Sequence, residues 1–138
     1  MEKYIIERAE ELCTIINTEV DFKGLAYLEN AVVLFVAHGA VPCHEAIDDY
    51  LSDNLVADYL KKENINFFYF DGSFKELKDL ADEMGVDQVP TIAVYTYGLE
   101  IGRFIGRLSG AELVDFVRKM YDTVISFDKV PLQQGSEQ

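Results

Sequence analysis

The run Ala31-Val32-Val33-Leu34-Phe35-Val36-Ala37 contains no polar side chain. It is too short to cross a bilayer and lacks the alternation of a strand with one wet face, so it predicts a strand buried on both faces. His38-Gly39-Ala40-Val41-Pro42 then breaks the run with glycine and proline, and Cys43 opens a long helical pattern. Ligand sites in open α/β sheets gather at the carboxyl ends of the strands, which makes this loop and its thiol the first candidates for function.

The rest of the chain alternates helical and strand patterns around that run. Ile5, Ala9, Leu12 and Ile16 mark one apolar stripe on an opening helix, and Cys13 flanks it as a small buried core residue. A short strand over Thr14 to Thr18 and a second helix over Asp21 to Asn30 follow. After the loop, Ile47, Tyr50, Leu51, Leu55 and Tyr59 predict one helix from Pro42 to Lys62, with Asp48, Asp49, Asp53 and Asp58 outside. Ile65 to Phe70 is a second buried strand, closed by Asp71-Gly72. Ser73 and Glu76 have capping-box spacing ahead of Phe74, Leu77, Leu80, Ala81 and Met84, and Gly85 is placed to end that helix. Thr91 to Tyr95 and Glu100 to Ile105, joined at Tyr97-Gly98, read as a β-hairpin. Ser109 and Glu112 form another capping box before a helix with Leu113, Phe116, Val117, Met120, Tyr121 and Val124 on its apolar face. One domain over residues 1–125 and a flexible polar tail over 126–138 are expected.

Strand, tight turn, Pro42-Cys43 and helix resemble the thioredoxin family, whose usual motif here is Trp-Cys-Gly-Pro-Cys; Val89-Pro90-Thr91 resembles the segment where that family holds a cis proline opposite its active-site loop. The resemblance covers about Thr14 to Val124 and implies a thioredoxin fold: a central mixed sheet flanked by helices on both faces, here with an extra N-terminal helix. Gly39 stands where the tryptophan would be, Ala40 replaces the first cysteine, Val41 replaces the glycine, and Pro42 and Cys43 match. In the family the first cysteine attacks and the second resolves the mixed disulfide, so a chain with only Cys43 cannot run the two-thiol cycle. The buried acid six residues before the first cysteine is replaced by Leu34, so the thiol has no nearby carboxylate in this reading. Desolvation then outweighs the helix dipole and leaves Cys43 a slow nucleophile.

The leading domains of multidomain monothiol glutaredoxins commonly read Trp-Ala-x-Pro-Cys, which Gly39-Ala40-Val41-Pro42-Cys43 is similar to apart from the tryptophan; those domains resemble docking modules. What the resemblance implies is therefore a non-catalytic protein- or peptide-binding module. Its surface would be Gly39, Ala40, Val41, Pro42, Val89, Pro90 and Gly106, holding an extended segment or a second copy of the chain. The alternative is a thiol-disulfide oxidoreductase, acting slowly through Cys43 alone, or a dithiol thioredoxin whose first cysteine has been replaced by engineering with Ala40. His38 and His44 bracket Cys43 but the set lacks a fourth ligand, so neither a metal nor another cofactor is expected.

Charge narrows the partners. With 25 acidic against 12 basic residues and a formal charge of −13, the chain is poorly suited to nucleic acid or an anionic membrane. Met1 to Leu12 has no apolar signal core, and two cysteines without close spacing suit a reducing compartment, so a cytoplasmic protein is expected.

Overall fold

A computed structural model of the chain describes residues 2–52 and 54–129. Five strands, β1 (Thr14–Ile16), β2 (Ala31–Val36), β3 (Asn66–Asp71), β4 (Thr91–Thr96) and β5 (Leu99–Ile105), form one sheet in the order β1-β3-β2-β4-β5. β1 and β2 run parallel to β3 between them, β4 is antiparallel to β2, and β5 is antiparallel to β4. Every residue of β2 is buried, as its unbroken apolar composition requires of a strand covered on both sides.

Alternation along β2 divides the core into two halves. Val32, Leu34 and Val36 face a cluster built with Ala9, Cys13, Cys43, Ile47, Tyr50, Leu113 and Val117. Cys13 follows α1 (Glu2–Glu10), and the others come from α1, α3 (Val41–Leu51) and α6 (Gly110–Lys129), joined by Val56 and Leu60 of α4 (Leu55–Lys62). Ala31, Val33 and Phe35 face the other way, onto α2 (Glu19–Lys23), the 3-10 turn Gly24–Tyr27 and α5 (Lys75–Glu83). Burying each such aliphatic or aromatic side chain contributes about 1.5–3 kcal/mol, and the aromatic contacts of Phe35 and Phe22 with Phe70 tighten the second half. Tyr121 on α6 places its hydroxyl 2.7 Å from Tyr95 O and 3.2 Å from Ala31 O, so one proton ties that helix to two adjacent strands. The arrangement is a thioredoxin fold, a mixed sheet with helices on both faces, and α1 is the additional N-terminal helix.

Three local expectations change. The helix expected over Pro42 to Lys62 is two helices, because Ser52 Oγ donates back to Asp49 O at 2.8 Å and Asn54 takes a left-handed φ of 63°. Asparagine tolerates that conformation better than most residues, and it ends the helical path. The helix expected over Asp21 to Asn30 begins earlier, at a Thr18–Asp21 capping box, and passes into the 3-10 turn at Gly24. Ser73 does not cap α5, whose N-cap is Phe74 with no side-chain bond; its hydroxyl is committed to Asp71 instead. The Ser109–Glu112 box is present, with both reciprocal bonds formed. The last helix continues to Lys129, past the expected start of the tail, and residues 130–138 lie outside the described residues.

The Tyr97-Gly98 turn takes φ values of 48° and 80°, and a Cβ at Gly98 would lie 2.9 Å from Ala26 Cα. Glycine is needed there for close approach as well as for its backbone.

Candidate functional site

β2 and β4 are neighbours with Phe35 opposite Thr91, so the loop that leaves β2 and the loop that enters β4 emerge side by side at one pole of the sheet. The first holds Gly39 at φ 80° and Ala40 at the extended N-cap geometry of α3, where alanine has no oxygen with which to cap. Pro42 lies in the first helical turn, where its missing N–H costs nothing. Ala40 O accepts the Cys43 N–H at 3.0 Å and starts the helix. The Val89–Pro90 peptide in the second loop is cis, and Gly106 N–H donates to Pro90 O at 2.9 Å, which draws the end of β5 onto it. Ala40 and Val89 are half-buried and pack on the same core cluster as Cys43. The two loops emerge at one pole: Val41 is 64% exposed, Gly39 and Pro42 are exposed beside it, Ala40, Val89 and Gly106 are half-buried, and Pro90, expected on the surface, is buried.

Cys43 itself is 0% exposed. Burial pushes its thiol up, the backbone of Ala37 acts the other way, and the charge of Asp71 adds to the rise. Burial alone pushes the Cys13 thiol up as well, and both cysteines are free. A neutral thiol buried beneath the loop is a poor nucleophile, and with alanine at position 40 the loop has no second sulfur with which to close a disulfide.

The expectation that no carboxylate lies near Cys43 is overturned. Leu34 is indeed apolar and fully buried, but Asp71, the last residue of β3, is 1% exposed and close enough for its charge to bear on the thiol. One of its oxygens accepts from Ser73 N–H at 2.9 Å and from Ser73 Oγ at 2.5 Å; the other is buried with no hydrogen-bond partner among the described residues. Ser73 Oγ in turn accepts the His38 N–H at 3.1 Å, which ties the two loops together. The sequence held a signal for this. Phe67, Tyr69 and Asp71 share one face by strand alternation, and reading Asp71-Gly72 as a turn hid the acid's place on that face.

Cavities flank the sheet at both poles. One of about 380 Å³ lies against the paired loops, between Val36-Ala37, Gly72-Ser73, the Lys78–Asp82 turn of α5 and Val89. The larger, about 620 Å³, lies at the opposite pole among Tyr59, Tyr97, Arg118 and Tyr121, far from the thiol, and no sequence motif points to it. His38 is exposed and His44 half-buried, and no cluster of three or more metal-ligating side chains is present among the described residues. No helix among them is long and apolar enough to cross a membrane.

The sequence matches no protein-family model and no curated protein. Solved structures do match. The oxidised thioredoxin of Plasmodium falciparum is 20% identical, with a TM-score of 0.64 over 78% of this chain and 96% of that one. The oxidised mitochondrial thioredoxin 3 of Saccharomyces cerevisiae is 18% identical, with a TM-score of 0.63 over 81% and 98%. A variant thioredoxin of Halobacterium salinarum is 16% identical, with a TM-score of 0.64 over 80% and 91%. Identity at this level establishes the fold, and the chemistry of the loop rests on this chain's own residues.

Proposed function

We propose that the chain is a non-catalytic binding module that holds an extended segment of a protein partner between the Gly39–Pro42 loop and the Val89–Pro90 loop. The observation that carries this reading is the division of the loop: Gly39, Val41 and Pro42 are exposed, and its one sulfur is sealed beneath them. Small apolar residues on two adjacent loops suit the backbone of an extended peptide, and loops held by a rigid sheet are the usual carriers of binding residues. The acidic balance of the chain favours a basic or neutral segment.

Insulin reduction with a dithiothreitol supply tests the negative half of the proposal. The protein should match the uncatalysed rate, while an Ala40→Cys variant serves as the positive control; turnover by the natural sequence sinks the reading. Affinity capture tests the positive half, with Val89→Asp placing a charge at the half-buried lip of the groove. A stoichiometric protein held by the wild type and lost from the variant supports the module, and equal capture by both refutes it. Sedimentation of the same pair reports whether that partner is a second copy of the chain.

A further inference from the structure

We propose that the cleft at the far pole of the sheet, floored by Ile65, Tyr59 and Tyr121 and rimmed by Glu29, Glu63 and Asp122, binds a small aliphatic polyammonium cation. The paired loops lie at the other end of the strands, so the cleft does not depend on what they hold. Separate parts of the chain build its walls: the segment before β2, the end of α4 with the start of β3, the β4–β5 turn, and α6. Backbone bonds brace them. Tyr97 N–H donates to Leu28 O at 2.8 Å, Asn66 N–H to Asn30 O at 3.1 Å, and Ile65 N–H to Leu60 O at 2.8 Å. The Tyr121 hydroxyl is fixed on the sheet by its bond to Tyr95 O. A braced cavity of about 620 Å³ falls within the range of small-molecule sites, which are usually formed before the ligand arrives.

The lining changes chemistry with depth. Ile65 is buried and Tyr59 and Tyr121 are half-buried, whereas Glu29, Glu63 and Asp122 are exposed around them. An apolar floor beneath an acidic rim suits methylene groups that separate positive charges, and it opposes an anion. Arg118 shows how the wall takes a cation: its guanidinium lies 5.3 Å from the centroid of the Tyr59 ring. Neither Arg118 nor any of the three carboxylates is in a salt bridge among the described residues, so the rim keeps an excess of negative charge. Burial pushes the Tyr59 phenol up, Arg118 acts the other way, and Glu63 and Asp122 add to the rise, so these charges are felt at one ring. Because the carboxylates come from three parts of the chain, a ligand with several ammonium groups can meet more than one of them. The net charge of −13 draws such cations toward the protein, and the cleft gives them a place to stop.

The test is titration of the intact protein with spermidine at about 0.15 M salt, followed through the ring resonances of Tyr59, Tyr97 and Tyr121. The shifts should saturate at these three rings. Glu63→Gln should weaken spermidine by about threefold, the worth of one exposed charge pair, while Glu76→Gln on α5 should leave it unchanged. Arg118→Gln should strengthen it, since the substitution removes a competing cation and frees the face of Tyr59. Butylamine and N-acetyl-lysine methylamide, each with one ammonium group, should bind at least about fivefold more weakly. Shifts that grow linearly, or equal weakening by Glu63→Gln and Glu76→Gln, mean a diffuse ion atmosphere and overturn the inference. Weakening by Arg118→Gln overturns it as well, because charge then does not govern the cleft. Equal binding of the lysine amide and spermidine would assign the cleft to a protein side chain and reject the free polyammonium.

Discussion

The loops that leave the carboxyl ends of β2 and β3 lie side by side, joined by the bond from His38 N–H to Ser73 Oγ, yet they carry opposite endowments. The β2 loop offers no side-chain cap at Ala40, and its cysteine lies below the surface. The β3 loop resembles an ordinary turn in sequence, but it follows a buried carboxylate, Asp71, one oxygen of which has no hydrogen-bond partner among the described residues and whose charge bears on that sulfur. Position on the sheet decides what an acid does here. An acid at Leu34 would sit in the middle of a strand covered on both faces, whereas Asp71 ends its strand, where Ser73 can bond it.

The sharpest way to break that comparison is to move the acid. Leu34→Asp should destabilise the protein at neutral pH by about 3 kcal/mol or more, because it removes an apolar core side chain and brings a carboxyl among apolar neighbours. Burial should raise the carboxyl's folded-state pKa above its unfolded value of about 3.9. The unfolded chain releases its proton first, so stability should be greatest below about pH 4 and fall as pH rises through the folded midpoint. Urea denaturation at acid and neutral pH checks this; a variant as stable as wild type at pH 7 would show that β2 tolerates the acid and that the contrast between the strands is false.

Ser73→Ala should have the next largest effect, a loss of about 1.5–3 kcal/mol, the usual contribution of a hydrogen bond to a charged group. Hydrogen exchange at the His38 amide should quicken in the same variant, since its acceptor is Ser73 Oγ. Thermal unfolding and exchange together separate a tie between loops from a bond internal to one of them. If stability falls and His38 exchange does not change, the loops are independent.

What the sequence revealed follows the same division. The buried strand Ala31–Val36, the hairpin and the Ser109–Glu112 cap are legible because each depends on residues close together in sequence. Ser73–Glu76 has the same local spacing and misleads, because the deciding partner, Asp71, precedes it on a strand and competes for the hydroxyl. The break between α3 and α4 hides for a comparable reason. Ile47, Tyr50, Leu55 and Tyr59 keep an apolar rhythm through it, while the backbone turns at Asn54 so that α4 meets α6 and Arg118 stacks over Tyr59. The motif residues of the loop are readable one by one; the buried acid Asp71 is not, because it comes from the neighbouring strand.

Alkaline titration distinguishes the two thiols at lower energy. Both have folded-state values above the usual thiol value of about 8.5, so each contributes stability that is fully present below that pH and is lost as pH rises toward its folded midpoint. In that window each should steepen the fall by at most about 1.4 kcal/mol per pH unit. Buried Tyr50 and Tyr95 and half-buried Tyr121 act in the same sense from about pH 10. Comparison of denaturation in Cys13→Ala and Cys43→Ala between about pH 8 and 10 should show a shallower slope in each than in wild type. A slope unchanged by either substitution would place the alkaline lability in the tyrosines.

The smallest effect is expected where the β2 loop lacks an oxygen. Ala40 already has φ −79° and ψ 111°, the extended geometry of a helix N-cap, and serine there can accept from an amide in the first turn of α3 without moving the backbone. Ala40→Ser should therefore stabilise the fold by about 0.5–1 kcal/mol, read as a rise in melting temperature with the urea dependence unchanged. The same residue is half-buried against the core that holds Cys43, so an unpaired hydroxyl would cost about as much as the cap contributes. A gain means that the cap forms and that the present loop forgoes local stability at its apolar surface. A loss would mean that the hydroxyl meets the core instead, and that Ala40 is required for packing.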